Sequence, residues 1–328
     1  MRDRIVTLIR NNIFVVWFRL LVEIYFEYLQ LAKHLGAVRL KKNKRKLEAD
    51  IIIRSHAIEK GLSMVKPRPG FGEKKVSDLI QLLHYYYNKF GSSNFLTLVI
   101  PILESYFEFN RNQNSFNNEL WLKFEEIRGR LSLEVTDYVG GIIWIEKEDT
   151  LNSLNQGFPR VASSRYSIRD FSDQKIDMEL IYKALEIARK SPSACNRQPW
   201  RVYVYRNEKK KKDLLKWQGN KGFIDNIDTV IIVSCSLNSF FINEKHQAYI
   251  DGGLYSMTLL YALHSMGLGT IPMTMAMMHS KRKDLYTHFG LQQDEVPIVM
   301  IGVGALKDKY PVAISDRKKI NEYLTVFE

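Results

Sequence analysis

Arg165, Ser167 and Arg169 occupy alternate positions in SRYSIRDF (164–171). Two guanidinium groups and a hydroxyl this close together can hold a phosphate monoester through charge-assisted, partly bidentate hydrogen bonds. A short Arg/Ser run also arises by chance on a basic surface, so the string alone leaves both readings open. Further along comes SPSACNRQPW (191–200), in which Pro192 and Pro199 fix φ at both ends and stiffen the loop between them. Ser193, Asn196 and Gln198 offer groups that donate and accept, suited to the polar edge of a heteroaromatic ring, and the small Ala194 permits close approach. The plainer reading is a capped helix end entering a strand.

Other clusters carry less. Met273, Met275, Met277, Met278 and His279 are soft ligands that suit copper. A Met-rich core or pocket wall accounts for them more simply, and no metal is expected. His56, Glu59 and Lys60 fall on neighbouring helical positions, as an acid/base cluster would, or as a helix end stopped by Gly61. The helix end is the preferred reading. The two cysteines, Cys195 and Cys235, form neither a CxxC pair nor a disulfide framework, and are read as reduced thiols of an intracellular protein.

The elements that position these residues change character along the chain. Helical periodicity covers about 76–90, 95–109 and 116–130, and 51–75 reads as a helix broken at Gly61 before a Pro/Gly loop. The polar stretch Glu146–Gly157 is the expected boundary between a mainly helical unit, 1–150, and a second unit, 151–328. In the second, a helix over 176–190 has Asp177 as N-cap, and WRVYVYR (200–206), TVIIVSC (229–235) and VPIVMIGVG (296–304) read as strands. A long helix fits 246–266 and ends at the Gly267–Leu268–Gly269 break. Helices mixed with a few strands, without strict βαβ alternation, predict an α+β sheet domain. The P-loop and the Rossmann glycine fingerprint are both absent.

The 328 residues are 45% hydrophobic and 26% charged, which excludes a disordered or collagen-like chain. A net charge of +12 favours anionic ligands or surfaces. Residues 13–35 are dense in apolar side chains, but Arg19, Glu23 and Glu27 interrupt them along one helical face, which argues against a spanning helix. No small-residue cleavage site follows, so a signal peptide is not expected. An amphipathic helix packed on the protein itself or on a dimer partner is the plainer reading, and attachment to an anionic membrane surface the sharper one. Six of the eight residues from Arg39 to Lys46 are basic, which supports that attachment. No DNA or RNA recognition motif accompanies them, so nucleic acid is not expected as a partner.

Taken together and in order, Arg165–Phe171, Ser191–Trp200, the helix from Asp251 into Gly267–Leu268–Gly269–Thr270, and Arg317 resemble the landmarks of the FMN-dependent nitroreductase superfamily. The resemblance covers about 163–328 and leaves the N-terminal part unmatched. It implies a nitroreductase-like mixed sheet flanked by helices, with FMN bound between the subunits of a homodimer. Arg165 and Ser167 would hold the FMN phosphate and ribityl chain, with Arg317 closing from the C-terminal segment. Arg169 would face flavin N1 and O2, where a fixed cation stabilises the charge of the reduced ring. Pro192, Ser193, Ala194, Asn196 and Gln198 would contact the ring from the partner subunit. Thr270, Ile271 and Pro272 would bring backbone near N5. Tyr166 stands where the family often has Arg or His, which removes one phosphate contact, and the polar contacts expected around Trp217–Asn226 have no match.

The activity so implied is ping-pong reduction of a small organic acceptor at flavin N5, with NADH or NADPH as donor, in the cytoplasm or peripherally at the inner membrane surface. The alternative is a flavin-binding or membrane-surface adaptor without catalysis, working through the basic helical N-terminal region.

Overall fold

The computed structural model describes residues 13–34, 44–93, 96, 98–130, 139–219, 222, 225–241, 244–277 and 279–327. Most of the basic run at Arg39–Lys46, and Met278 of the methionine cluster, lie outside them.

Five helices come first: α1 (Ile13–His34), α2 (Lys44–Leu62), α3 (Glu73–Phe90), α4 (Ile100–Asn112) and α5 (Asn118–Arg130). The helical spacing of Val76, Leu79, Ile80 and Leu83 gives α3 one buried stripe. That stripe meets Leu47, Ile51 and Ile58 of α2, Leu103 and Phe107 of α4 and Phe124 of α5 in a core of their own. Pro101 sits in the first turn of α4, where a missing N–H costs nothing, and the helix begins there rather than at 95.

The helix expected to stop at Gly61 instead runs on to Leu62. Gly61 serves close approach: a Cβ there would fall 2.3 Å from Cε2 of Phe71, so the Pro/Gly loop can fold back onto the last turn of α2. The next residues, Ser63 and Met64, therefore leave the helical unit pointing at the second one. Met64 packs against that unit's core.

The second unit contains β1 (Ile142–Glu146), α6 (Lys147–Leu154), α7 (Phe158–Ser164), β2 (Phe171–Ser172), α8 (Met178–Ala188), β3 (Trp200–Tyr205) and α9 (Glu208–Gln218). It continues with β4 (Thr229–Ser236), α10 (Gln247–Ser265), β5 (Leu268–Thr274), α11 (His279–Thr287), β6 (Glu295–Leu306) and β7 (Lys309–Ala313). Asp177 caps α8 by accepting from Glu179 N at 3.0 Å, as its position in the sequence predicts.

The long β6 is the organising strand. It pairs antiparallel with β4, which pairs onward with β3, while β5 pairs along β6 and the short β2 meets its C-terminal end. β4 is buried along its whole length because both sheet faces are covered, which is why its sequence is a continuous apolar run. α8 and α10 cover one face through Ile181, Ala184, Leu259 and Leu263. On the other, Ile232, Ile271, Met273, Met275 and Met300 pack with Leu214 and Leu215 of α9, so these methionines are core residues. The fold is α+β, with a helical N-terminal region added.

β1 and β7 form a separate antiparallel ribbon. β1 lies on the N-terminal side of the expected boundary near 150, yet its hydrogen-bond partner is the far C-terminal strand. The ribbon brings the chain after Ala313 beside the end of α2.

Candidate functional site

After α7 the chain becomes extended, with Arg165 at φ −79° and ψ 117°. In extended backbone alternate side chains share a face, so Arg165, Ser167 and Arg169 point one way and Ile168 the other. The segment is held on both sides. Ile168 N donates to Thr270 O at 2.9 Å, Ser167 forms a parallel bridge with Thr270, and Ile168 bridges Val312 of β7. Ile168, 3% exposed, anchors the strip in the core. Thr270, Ile271 and Pro272 are thus part of β5, with Thr270 beside Ser167, and Tyr166 packs half-buried against the same core.

Burial leaves the two arginines short of partners. Arg169 is 5% exposed; its Nη1 donates to Ser63 Oγ at 3.3 Å and Ser167 O at 3.4 Å, and its Nε has no partner. Burial pulls its pKa down to about 10, against the opposing pull of Glu59. Arg165 Nη1 is also buried without a partner. Burial holds this guanidinium below its ordinary range; Tyr261 opposes the shift and the cation Arg317 adds to it. Arg317, exposed after β7, turns its Nη1 back onto Ser315 O. Leaving charged donors dry and unpaired is costly, so this face suits an anionic guest with several acceptor oxygens.

His264 of α10 closes the back of this face. It is 3% exposed, its Nε2 lies 2.9 Å from Ser164 Oγ, and burial reinforced by Arg165 drives its pKa down to about 4. Three of the residues that shape the face, Ser63, Glu59 and His264, come from outside the alternating motif. The sequence marked Glu59 within a possible acid/base cluster, with a helix end as the preferred reading, and gave no signal for Ser63 or His264.

The second motif is a rigid loop elsewhere on the molecule. Cys195, Asn196 and Gln198 have left-handed φ of 51°, 54° and 50°. Non-glycine residues adopt this conformation at a cost and persist there when surroundings fix them. Here buried Asp251 accepts from Ala194 N at 3.1 Å, Ser193 Oγ accepts from Gln198 N at 3.0 Å, and Arg197 forks onto Glu244 at 2.7 and 2.8 Å. That fork holds the Glu244 carboxyl down to about 2. Asn196 and Gln198 remain exposed beside Pro192, and Cys195 is exposed too.

α10 links the two motifs. Asp251 near its start fixes the loop, and Tyr261 and His264 near its end face Arg165. At about 1.5 Å per residue these ends stand roughly 15–20 Å apart, so one chain places the motifs at opposite ends of a helix. Between them Tyr249, Ile250, Leu254 and Met257 line an open apolar groove of about 760 Å³ with Phe158 and Ile187.

The Nitroreductase family model matches residues 162–224 and 216–305. Residues 162–305 form a nitroreductase-family domain. A candidate NADH dehydrogenase/NAD(P)H nitroreductase of Methanothermobacter thermautotrophicus is 25% identical over 174 residues, 52% of this chain and 84% of that protein. One of the same description from Archaeoglobus fulgidus is 26% identical over 146 residues, 44% of this chain and 83% of its own. Among solved structures, a nitroreductase-like protein of Streptococcus mutans aligns at 24% identity and TM-score 0.43, over 55% of this chain and 98% of that one. A candidate nitroreductase of Exiguobacterium sibiricum, solved in complex with FMN, aligns at 22% identity and TM-score 0.44, over 52% and 97%.

Within the nitroreductase domain, His264 makes stability depend on pH. A base whose folded pKa is depressed takes up its proton later than the unfolded chain, so its contribution is intact above about 6.5 and is lost as pH falls to about 4. The loss reaches about 3 kcal/mol. Denaturant melts of the wild type and His264→Gln should run together above about pH 6.5 and diverge toward acid pH, the wild type losing more stability, because the amide retains the Ser164 contact without titrating. Parallel curves would contradict the assignment.

Proposed function

We propose that the chain is an FMN-dependent oxidoreductase of the nitroreductase type, acting on a small organic acceptor. The observation that carries the reading is the pair of guanidinium groups on one extended face, buried Arg169 and half-buried Arg165, each with a buried donor that has no partner. Those donors fit what FMN presents, a dianionic phosphate at one end and an electron-rich pyrimidine edge at the other. The names of the archaeal relatives, NADH dehydrogenase/NAD(P)H nitroreductase, agree with it.

When bound, FMN would supply the redox chemistry, taking two electrons from NADH or NADPH and passing them at N5 to the acceptor in a ping-pong cycle. The chain's part is binding and electrostatics. Arg165 and Ser167 bind the phosphate and ribityl chain, with Arg317 closing over the phosphate. Arg169 holds a fixed positive charge beside N1 and O2, where preorganisation in a dry site makes it most effective. His264 stays neutral behind Arg165 and so adds no competing charge.

Pro192, Ser193, Ala194, Asn196 and Gln198 act on the flavin of the partner subunit. The length of α10 supports this assignment, since the motifs lie at its two ends and a second copy packed antiparallel along the apolar groove brings loop to cradle. The homodimer is therefore part of the proposed site.

Purified protein, loaded with FMN, should show a flavin band that bleaches under anaerobic NADH or NADPH. Arg165→Ala should weaken FMN binding roughly ten-fold or more, and Arg169→Gln should slow reduction by about 10²-fold while FMN is still held. A chain that takes up no FMN overturns the reading. Bound FMN that neither nicotinamide donor reduces would favour the adaptor alternative.

One observation favours a second, compatible role for α1. Ile13, Phe14, Trp17, Phe18, Leu21, Ile24, Tyr25, Tyr28 and Leu29 are exposed, and at about 100° per residue they share one face of roughly 160°. No helix among the described residues is long and apolar enough to cross a membrane. An exposed aromatic face followed in sequence by the basic run Arg39–Lys46 suits an anionic membrane surface. The chain should co-sediment with anionic vesicles, and Trp17→Ser with Phe18→Ser should reduce the bound fraction about ten-fold. Sedimentation unchanged by these substitutions contradicts the attachment.

A further inference from the structure

We propose that Glu59, on the helical N-terminal region, is a positioning residue for the phosphate end of the site: it holds Ser315 in the turn that sends Arg317 back toward Arg165. The proposal rests on the FMN reading above and adds to it a part for the region that the family model leaves unmatched.

Glu59 lies in the last turn of α2 and is 1% exposed. Both of its carboxylate oxygens are committed to one residue 256 positions away: Oε1 accepts from Ser315 N and Oε2 from Ser315 Oγ, each at 2.9 Å. Ser315 has φ 47°, a left-handed conformation that an L-residue other than Gly or Asn adopts only at a cost. The local sequence AISDRKK contains no glycine to make that turn cheaply. The two-point grip of Glu59 offsets the strain, because releasing the turn would leave a buried carboxylate without donors.

The turn so fixed dictates where Arg317 goes. Its backbone N donates to Asp316 Oδ1 at 2.7 Å, and its Nη1 folds back onto Ser315 O. Arg317 is then close enough to depress the Arg165 guanidinium. Two neighbouring cations form a phosphate clamp only while the turn that carries Arg317 keeps its shape.

Glu59 is itself held by its surroundings. The positive charge of Arg169 faces it, and His56 Nδ1 lies 3.6 Å from Oε2. Ser63, one turn further on, accepts from Arg169 Nη1. A single helix end thus touches both ends of the cradle, the Arg169 end through Ser63 and the Arg317 end through Glu59.

The test compares FMN with riboflavin, which lacks the phosphate, by fluorescence titration of the full-length chain. Glu59→Ala and Arg317→Ala should each weaken FMN binding roughly ten-fold, with riboflavin affinity within about two-fold of wild type. In the double variant the loss should match that of Arg317→Ala alone, since Glu59 acts through Arg317. Ser315→Ala removes only the hydroxyl half of the grip at a half-buried turn, and should give a smaller, still FMN-specific loss even where Glu59→Ala fails to fold. Equal losses of FMN and riboflavin, additive losses in the double variant, or unchanged FMN affinity in Glu59→Ala and Ser315→Ala would each overturn the proposal. Wild-type protein that binds neither flavin would instead overturn the FMN reading on which it stands.

Discussion

Two arginines on one strip, each with a donor atom held out of water and unfilled, set the terms for the rest of the structure. A folded chain tolerates such groups only if many other contacts over-determine their positions, and here they do. The backbone of 165–169 is pinned by β5 on one side and β7 on the other, Ile168 anchors it in the core, and α10 places a neutral histidine behind it. The organisation around β6 exists, from the point of view of the site, to bring β5 and the β7 ribbon to the two edges of one short extended strip.

The same constraint ties the two parts of the chain together. Arg169 has one of its few partners in Ser63, and its nearest opposing charge in Glu59, both from the helical region. Gly61 lets the following loop fold against α2, so that the residues after it meet the second core. The helical region has a core of its own, yet its last α2 turn is built into the strip where the flavin is proposed to bind. α10 extends the logic beyond one chain: it separates the arginine strip from the proline loop by nearly its own length and offers an apolar face between them.

Much of this was legible in the sequence because alternation and loop chemistry are local. Arg-x-Ser-x-Arg announces a cluster of phosphate-binding groups, and the proline-flanked loop announces rigidity, which the structure realises as three left-handed residues. Long buried strands such as 229–236 and the helix ending before Gly267 declare themselves by runs and breaks. The short strands did not. β1 and β7 are five residues each, β7 contains Pro311, and their pairing spans the whole second unit, so no window of sequence contains the signal. Glu59 and Ser315 illustrate the same limit: a grip between residues 256 apart has no local signature, and Gly61 drew attention as a stop when its role is to admit an aromatic ring. His264 looked like any polar residue late in a helix.

If FMN completes the unfilled donors of Arg165 and Arg169, thermal melting with and without ligand must register it. A ligand that binds only the folded state and satisfies those donors raises the melting temperature in proportion to the logarithm of its concentration over Kd. FMN at about 100 times its Kd should add roughly 2.7 kcal/mol of stability, and riboflavin at the same concentration should add distinctly less. A melting temperature unmoved by FMN, or moved equally by both flavins, would contradict the account.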